Sequence, residues 1–140
     1  MKSVSAVPEA QVEASATASS AAIAAQYADA VDQAGQLPVQ ALEALRAEGL
    51  LGLLVPRRFG GPELSLRAVT NICRRLAEGC ASTGLIFAMH QSQAAVAIEH
   101  SGESEWHQQL LLRMAREQSL IASATTEGAT PKRRAVHRVA

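Results

Sequence analysis

Apolar residues recur at three- and four-residue spacing along most of the chain from about residue 18 onward, a pattern typical of amphipathic helices. The first repeat runs through Ile23, Tyr27 and Val31, and it ends at Gly35. Later repeats are interrupted by glycine, proline or serine, which commonly mark the ends and beginnings of helices. The spacing predicts five helices, which begin at about Ala18, Pro38, Ser65, Ser82 and Glu103.

Three of these helices carry specific local signals. Ser65 is a candidate N-cap for the third helix, since its hydroxyl oxygen can accept a hydrogen bond from an amide of the first turn. The fourth helix, about 82–100, is apolar nearly all round, which predicts burial on several sides. In the fifth helix Trp106, Leu110 and Met114 recur at four-residue spacing and therefore share one side.

The pattern changes after Glu117. Leu120, Ile121 and Ala122 form a short apolar run that leads to two threonines, Thr125 and Thr126. A run of this length, rich in residues that favour extended backbone, predicts a strand. The coarse prediction is therefore an all-α bundle with one β-strand at its C-terminal end.

Composition changes this picture only slightly. Apolar residues make up 48% of the 140 residues, but aromatics make up 3%, which suits alanine- and leucine-rich helices better than a sheet sandwich. Thirteen basic and thirteen acidic residues balance, so no overall field predicts a nucleic-acid partner. Residues 1–18 predict a disordered lead-in, and Glu9 and Glu13 interrupt any signal-peptide core. The sequence contains no apolar run long enough to predict a membrane span, and we expect a cytoplasmic protein.

The two cysteines do not predict a disulfide or a metal site. Cys73 and Cys80 lie seven residues apart in a helical pattern, or about 10 Å along a helix axis. A disulfide needs Cα atoms within about 7 Å. A zinc site needs more cysteine or histidine at close spacing, so the sequence predicts two buried free thiols and no metal.

The order of local sequences resembles the N-terminal part of the acyl-CoA dehydrogenases. No single segment is specific, but all of them occur in the order of that family. The segments that carry the resemblance are 36–38 (Gln-Leu-Pro), 45–52 (Leu-Arg-Ala-Glu-Gly-Leu-Leu-Gly), 55–61 (Val-Pro-Arg-Arg-Phe-Gly-Gly), 81–83 (Ala-Ser-Thr), 89–90 (Met-His), 110–117 and the Thr-Thr-Glu of 125–127. The resemblance implies a helical domain over 19–117 and the start of a flavin-binding β-domain over 118–130, with an unrelated basic tail over 131–140.

The same resemblance implies chemistry that the residue pattern alone does not. The implied reaction is α,β-dehydrogenation of an acyl-CoA thioester by a homotetramer, in which a base removes the α-proton and FAD accepts the β-hydride. Thr125 and Thr126 match the residues that place a hydroxyl and backbone against the flavin, although both are also ordinary strand residues. His90 has two interpretations: a border of the acyl pocket, by resemblance, or a hydrogen-bonded core histidine. No residue matches the family's catalytic carboxylate, so we expect no catalytic residue in this chain.

Departures from the family pattern leave alternatives open. Arg75 and Cys80 stand where the family often has acidic residues, and Cys80-Ala81-Ser82-Thr83 is similar to a segment of the flavin-dependent monooxygenases that share the fold. Pro131-Lys132-Arg133-Arg134 stands where the family has a glycine-rich turn. The chain is therefore interpreted as a dehydrogenase fragment that is inactive alone, as a monooxygenase fragment, or as a non-enzymatic helical module that binds another subunit. For the isolated chain we expect poor solubility or self-association.

Overall fold

The computed structural model describes residues 9–102 and 104–122, and side chains from residue 17 onward. Within these residues the chain forms an all-α bundle, as the sequence predicts, and no β-strand. Its five α-helices are α1 (Glu9–Ala34), α2 (Val39–Ala47), α3 (Leu66–Gly79), α4 (Ala81–Glu99) and α5 (Glu105–Glu117). Three short 3₁₀ turns connect them, at Leu50–Gly52, Arg57–Phe59 and His100–Gly102.

The first helix begins earlier than the pattern predicts. It starts at Glu9 rather than near Ala18, so most of the lead-in that we predicted to be disordered over 1–18 is helical. Alanine has the highest helix propensity of all residues, and acidic residues near an N-terminus interact favourably with the helix dipole. An Ala-rich segment that lacks an apolar stripe can therefore extend a helix that packing stabilises further along. Residues 1–8 lie outside the described part of the chain.

The other helix ends confirm the local signals. Gly49, after α2, has φ of 72°, a left-handed conformation that glycine adopts without strain. The Ser65 hydroxyl accepts a hydrogen bond of 3.2 Å from the Ala68 amide, so Ser65 is the N-cap of α3. Ser104 caps α5 in the same manner, which places the start of α5 two residues after the predicted Glu103.

Replacing Ser65 by alanine is expected to destabilise the bundle by about 1 kcal/mol, because the Ala68 amide loses its acceptor. Urea denaturation followed by circular dichroism measures the change. Ser19→Ala, at an exposed position inside α1, is the matched control and should be neutral or slightly stabilising. Equal effects of the two substitutions would contradict the capping role.

Three apolar clusters of buried residues occur in the described part of the bundle. The largest lies among α2, α3, α4 and the first 3₁₀ turn, and Phe87 on α4 is fully buried in it. The smallest joins α1 and α2 to the end of α3 and consists of Ala24, Ala41 and Cys80. The remaining cluster lies between α4 and α5. Its buried members are Val55, Ala94, Ala97, Leu110, Leu111, Met114 and Ile121. Ile121 lies beyond α5, so the chain that leaves the bundle is still part of its core.

The fourth helix departs from the prediction of burial on several sides. Its buried face holds Phe87, Ala94 and Ala97 together with three polar residues, Thr83, His90 and Gln91. Its opposite face exposes apolar side chains, namely Leu85 (63% exposed), Met89 and Val96. The prediction was wrong because it read every apolar side chain as buried within this domain, whereas polar side chains occupy part of the buried face.

Other predictions hold in part. Leu110 and Met114 are buried as their spacing indicates, but Trp106 is 48% exposed. Both cysteines are free thiols: Cys80 is buried, while Cys73 is only partly buried, with its thiol 3.5 Å from the Gly84 carbonyl oxygen. Of the predicted strand, residues 120–122 are described and residues 123–126 are not.

Candidate functional site: the joint where the chain leaves the bundle

The two residues predicted to contact a flavin, Thr125 and Thr126, lie outside the described residues. The structure does describe the segment that leads to them, residues 118–122, and its attachment to the helices. We call this attachment the exit joint. It consists of residues 118–122, the 3₁₀ turn Leu50–Gly52, and the side chains of His90 and Gln91. The exit joint is the described feature that bears most directly on the predicted site.

Gln118 ends α5 and binds the 3₁₀ turn with its side chain. Its Oε1 accepts hydrogen bonds from the amides of Leu51 (2.9 Å) and Gly52 (3.2 Å). Its Nε2 donates to the carbonyls of Met114 (3.3 Å) and Ala115 (3.1 Å) in the last turn of α5, and the Met114 carbonyl also accepts the Gln118 amide at 3.1 Å. One amide side chain therefore caps α5 and fixes the turn against it.

The backbone around Gln118 is adapted to this contact. Gln118 itself has φ of 51°, a left-handed conformation that turns the chain out of the helix. A Cβ atom on Gly52 would lie 3.1 Å from Gln118 Nε2, so a larger residue there would press on the amide. The Arg46 Nε atom on α2 donates to the Gln118 carbonyl oxygen at 3.3 Å, which adds a third element to the joint.

His90 connects the 3₁₀ turn to the exit segment. Its ring is fully buried, Nε2 lies 2.7 Å from the Leu51 carbonyl oxygen, and Nδ1 accepts a hydrogen bond of 3.0 Å from the Ile121 amide. Because Nδ1 accepts, the proton of the neutral ring must be on Nε2, which then donates to Leu51. Burial lowers the pKa of His90 below its ordinary value, and the hydrogen bond to Leu51 opposes this only in part.

The bonding of His90 confirms the interpretation as a hydrogen-bonded core histidine. Both ring nitrogens are occupied by backbone groups, so neither is free to accept a proton from a substrate. The imidazole therefore positions the backbone in this arrangement and does not act as an acid or base toward a substrate. Whether the ring also borders an acyl pocket stays a prediction from the resemblance.

Gln91 provides the last contact of the joint. Its Nε2 donates to the Leu50 carbonyl oxygen at 3.1 Å, while its buried Oε1 has no hydrogen-bond partner among the described residues. Gln91 also lines a groove of about 420 Å³ between α3 and α4. The other lining residues are mostly apolar: Leu54, Leu66, Val69, Thr70, Cys73, Ala88, Ser92 and Ala95.

Sequence reasoning did not identify Gln118 or Gln91 as functional. Glutamine is common on helix surfaces, and no local spacing distinguishes a glutamine that bonds across 66 or 67 residues. The available signal was indirect: the turn Leu50–Gly52 has polar backbone groups in an apolar environment, and such groups must find partners.

Among the described residues no group of three potential metal ligands occurs. No helix in the described part is long and apolar enough to cross a membrane.

The fold and the exit joint define a class of protein: a helical bundle domain that holds the segment after its last helix in a fixed position against the bundle. Comparison with known proteins identifies the family. The family model described as "Acyl-CoA dehydrogenase, N-terminal domain" matches residues 9–118. The chain belongs to the acyl-CoA dehydrogenase family, in which it corresponds to the N-terminal domain.

Individual relatives include two kinds of enzyme. The chain is 33% identical over 100 residues to cyclohex-1-ene-1-carbonyl-CoA dehydrogenase of Geobacter metallireducens. The aligned residues cover 71% of this chain and 26% of the relative. It is 33% identical over 96 residues to dibenzothiophene monooxygenase of Rhodococcus erythropolis, covering 69% and 23%. A probable acyl-CoA dehydrogenase of Bacillus subtilis is 29% identical over 103 residues, covering 74% and 27%.

These matches have a common extent. The chain spans about a quarter of the length of the curated relatives it matches. No solved structure matches it significantly. The comparisons therefore establish the family, and the activity of a whole enzyme belongs to the proposal that follows.

Proposed function

We propose that this chain is the N-terminal helical domain of an FAD-dependent acyl-CoA dehydrogenase, an oxidoreductase that acts on acyl-CoA thioesters as a homotetramer. Family membership supports the class of enzyme. The observation that carries the proposal further is the exit joint, which holds Ile121 against α4 only four residues before Thr125. FAD supplies the hydride acceptor in such an enzyme. The contribution of this domain is to position the segment that leads to Thr125 and Thr126.

In the proposed enzyme, residues 118–130 begin the flavin-binding β-domain, and Thr125 and Thr126 present a hydroxyl and backbone groups to the flavin. An anchor of this kind matters because catalytic geometry is lost when a group moves by about 1 Å. His90 and Gln118 attach the segment to two helices and one turn, which supports a fixed position of the segment while both contacts are made.

The groove between α3 and α4 is the proposed contribution to the acyl pocket. Its walls are mostly apolar, which suits an acyl chain, and its volume of about 420 Å³ lies in the usual range of ligand sites. The Gln91 Oε1 atom, which has no partner among the described residues, can accept a hydrogen bond there from water or from a polar group of the substrate. The exposed face of α4 around Leu85 and Met89 is available for packing by the remaining domains.

The described residues do not fit FAD by themselves. The groove between α3 and α4 has no basic side chain among its lining residues, and the groove at the base of α2 has only Arg46. A dinucleotide pyrophosphate normally requires several donors, from arginine, lysine or backbone amides. No step of the reaction is therefore assigned to residues of this domain through the cofactor.

The isolated chain is accordingly expected to bind no FAD. Purification followed by incubation with excess FAD and gel filtration should give a protein fraction without visible flavin absorbance. The matched comparison is a full-length relative, such as the Geobacter dehydrogenase, taken through the same procedure. A stoichiometric yellow complex of this chain would contradict the expectation.

The DNA that follows the codon for Thr130 tests the proposal as a whole. Translation in every reading frame should reveal a glycine-rich turn, a flavin-binding domain and a C-terminal domain with a carboxylate base. Absence of all three would contradict the proposal.

The monooxygenase alternative is supported by the 33% identity to dibenzothiophene monooxygenase and by Cys80-Ala81-Ser82-Thr83. A carboxylate base in the C-terminal domain would exclude it.

A further inference from the structure

A single buried imidazole holds two backbone segments that are far apart in the sequence. His90 is separated from Leu51 by 39 positions and from Ile121 by 31, and it bonds to both. The two bonds differ in kind: Nε2 donates to a carbonyl oxygen, and Nδ1 accepts from an amide. This difference makes the two contacts respond differently to a proton.

Protonation would preserve one contact and eliminate the other. An imidazolium carries N–H groups on both nitrogens, so Nε2 still donates to the Leu51 carbonyl. Nδ1, however, would present an N–H to the N–H of Ile121, and two donors cannot form a hydrogen bond. A buried amide that loses its acceptor is costly, so the exit segment would be expected to move away. The turn Leu50–Gly52 would stay in place, because Gln118 and Gln91 also bind it.

No charged group near His90 among the described residues offsets this effect. The turn and residues 118–122 contain no ionisable side chain. On α2, Arg46 bonds to the Gln118 carbonyl oxygen and is exposed, and on α3 the Cys73 thiol is partly buried. The charged side chains of the two helices packed against α4 are all exposed: Arg67, Arg74, Arg75 and Glu78 on α3, and Glu105, Arg113, Arg116 and Glu117 on α5. His100 is exposed on the neighbouring 3₁₀ turn, and His107 on α5 is partly buried.

We propose that His90 is a proton-sensitive latch, which holds residues 119–122 on the bundle when neutral and releases them when protonated. The sign of the pH dependence follows from burial. Because the pKa of folded His90 lies below its ordinary value of 6.5, the unfolded or released form binds more protons in the interval between the two values. The holding effect is therefore complete above about pH 6.5 and is lost as the pH falls below it.

The latch itself requires only the described residues, and its consequence for catalysis rests on the proposed function. If Thr125 and Thr126 contact a flavin, release of residues 119–122 would withdraw them. The latch can be measured without flavin or substrate, so its failure and the failure of the proposed function are distinguishable.

Hydrogen exchange of the Ile121 amide tests the latch. The isolated chain is labelled at micromolar concentration at about pH 7.5 and about pH 5, and mass spectrometry with residue-level fragmentation gives a protection factor corrected for intrinsic exchange. We expect the protection of Ile121 to fall by about tenfold or more between the two pH values, while the amide of Ile72 in the core of α3 keeps its protection. Unchanged protection at Ile121 would overturn the latch, and so would an equal fall at Ile72, which would indicate general unfolding.

Two variants separate the histidine's proton from other effects of pH. In His90→Asn the side-chain oxygen can take the place of Nδ1 and accept from Ile121, but it does not titrate, so protection should be independent of pH. His100→Asn removes an exposed histidine from the adjacent 3₁₀ turn and should keep the wild-type pH dependence. A pH dependence that persists in His90→Asn, or disappears in His100→Asn, would refute the assignment to His90.

Discussion

Replacing Gly84 by alanine is expected to destabilise the bundle by about 3 kcal/mol, the upper part of the range for overpacking a well-packed interior. A Cβ atom on Gly84 would lie 2.5 Å from the Cβ and 2.7 Å from the Cα of Ala77. These are atoms of the α3 backbone and its first side-chain carbon, so no flexible side chain can move aside. The helices α3 and α4 would have to move apart, and Phe87 would then lose part of its packing against α3.

Urea denaturation monitored by circular dichroism measures this loss, and Gly102→Ala is the matched control. A Cβ atom on Gly102 would meet nothing within 4 Å, so that substitution should change stability little. Alanine has a higher helix propensity than glycine by about 1 kcal/mol, which acts in favour of Gly84→Ala and makes the test stringent. A Gly84→Ala protein as stable as the wild type would show that α3 and α4 are not in close contact at this point.

Replacing Gln118 by alanine should cost a similar amount, about 2–4 kcal/mol, because the amides of Leu51 and Gly52 lose their acceptor in a partly buried site. The Ala115 carbonyl at the end of α5 loses its side-chain donor as well, whereas the Met114 carbonyl keeps the backbone amide of residue 118. The left-handed conformation at residue 118, where φ is 51°, disfavours alanine and glutamine alike, because both carry a Cβ atom, so it does not add to the loss. The same denaturation experiment measures the loss.

Two further variants separate these contributions. Gln118→Gly removes the same hydrogen bonds and also relieves the strain at φ of 51°, so the loss in this variant is a lower bound on the contribution of the hydrogen bonds. Gln109→Ala removes an exposed glutamine from the middle of α5 and should stay within about 0.5 kcal/mol of the wild type. A loss at Gln118→Gly no larger than at Gln109→Ala would mean that Leu51 and Gly52 do not depend on the side chain.

Periodicity and capping signals were sufficient for the helices of the bundle. The starts of α2 through α5 lie within about two residues of the predictions, because signals such as Pro38 and Ser65 act locally through their own backbone and hydroxyl groups. The start of α1 at Glu9 was missed because it depends on alanine propensity rather than on an apolar stripe. The exposure of Leu85 and Trp106 was missed because a sequence does not indicate whether an apolar residue packs within its own domain or remains accessible on its surface.

The candidate site was predictable to a smaller extent. The resemblance implies Thr125 and Thr126, which stay a prediction, and the interpretation of His90 as a hydrogen-bonded core residue is confirmed by its two bonds. The roles of Gln118 and Gln91 were not predictable. Their partners lie 66 or more and 41 positions away, respectively, and are backbone groups, which carry no sequence signal. Long-range bonds between side chain and backbone become visible only once the fold brings the segments together.

The neutral ring of His90 joins the turn Leu50–Gly52 to the segment that leads to Thr125. Long-range nitrogen–proton NMR of the histidine rings in the isolated chain near neutral pH measures the state of this ring. We expect a single neutral tautomer for His90, with the proton on Nε2, and a coupling across the hydrogen bond between Nδ1 and the Ile121 amide nitrogen. A protonated ring, a proton on Nδ1, or fast exchange between tautomers as in an exposed histidine would contradict it.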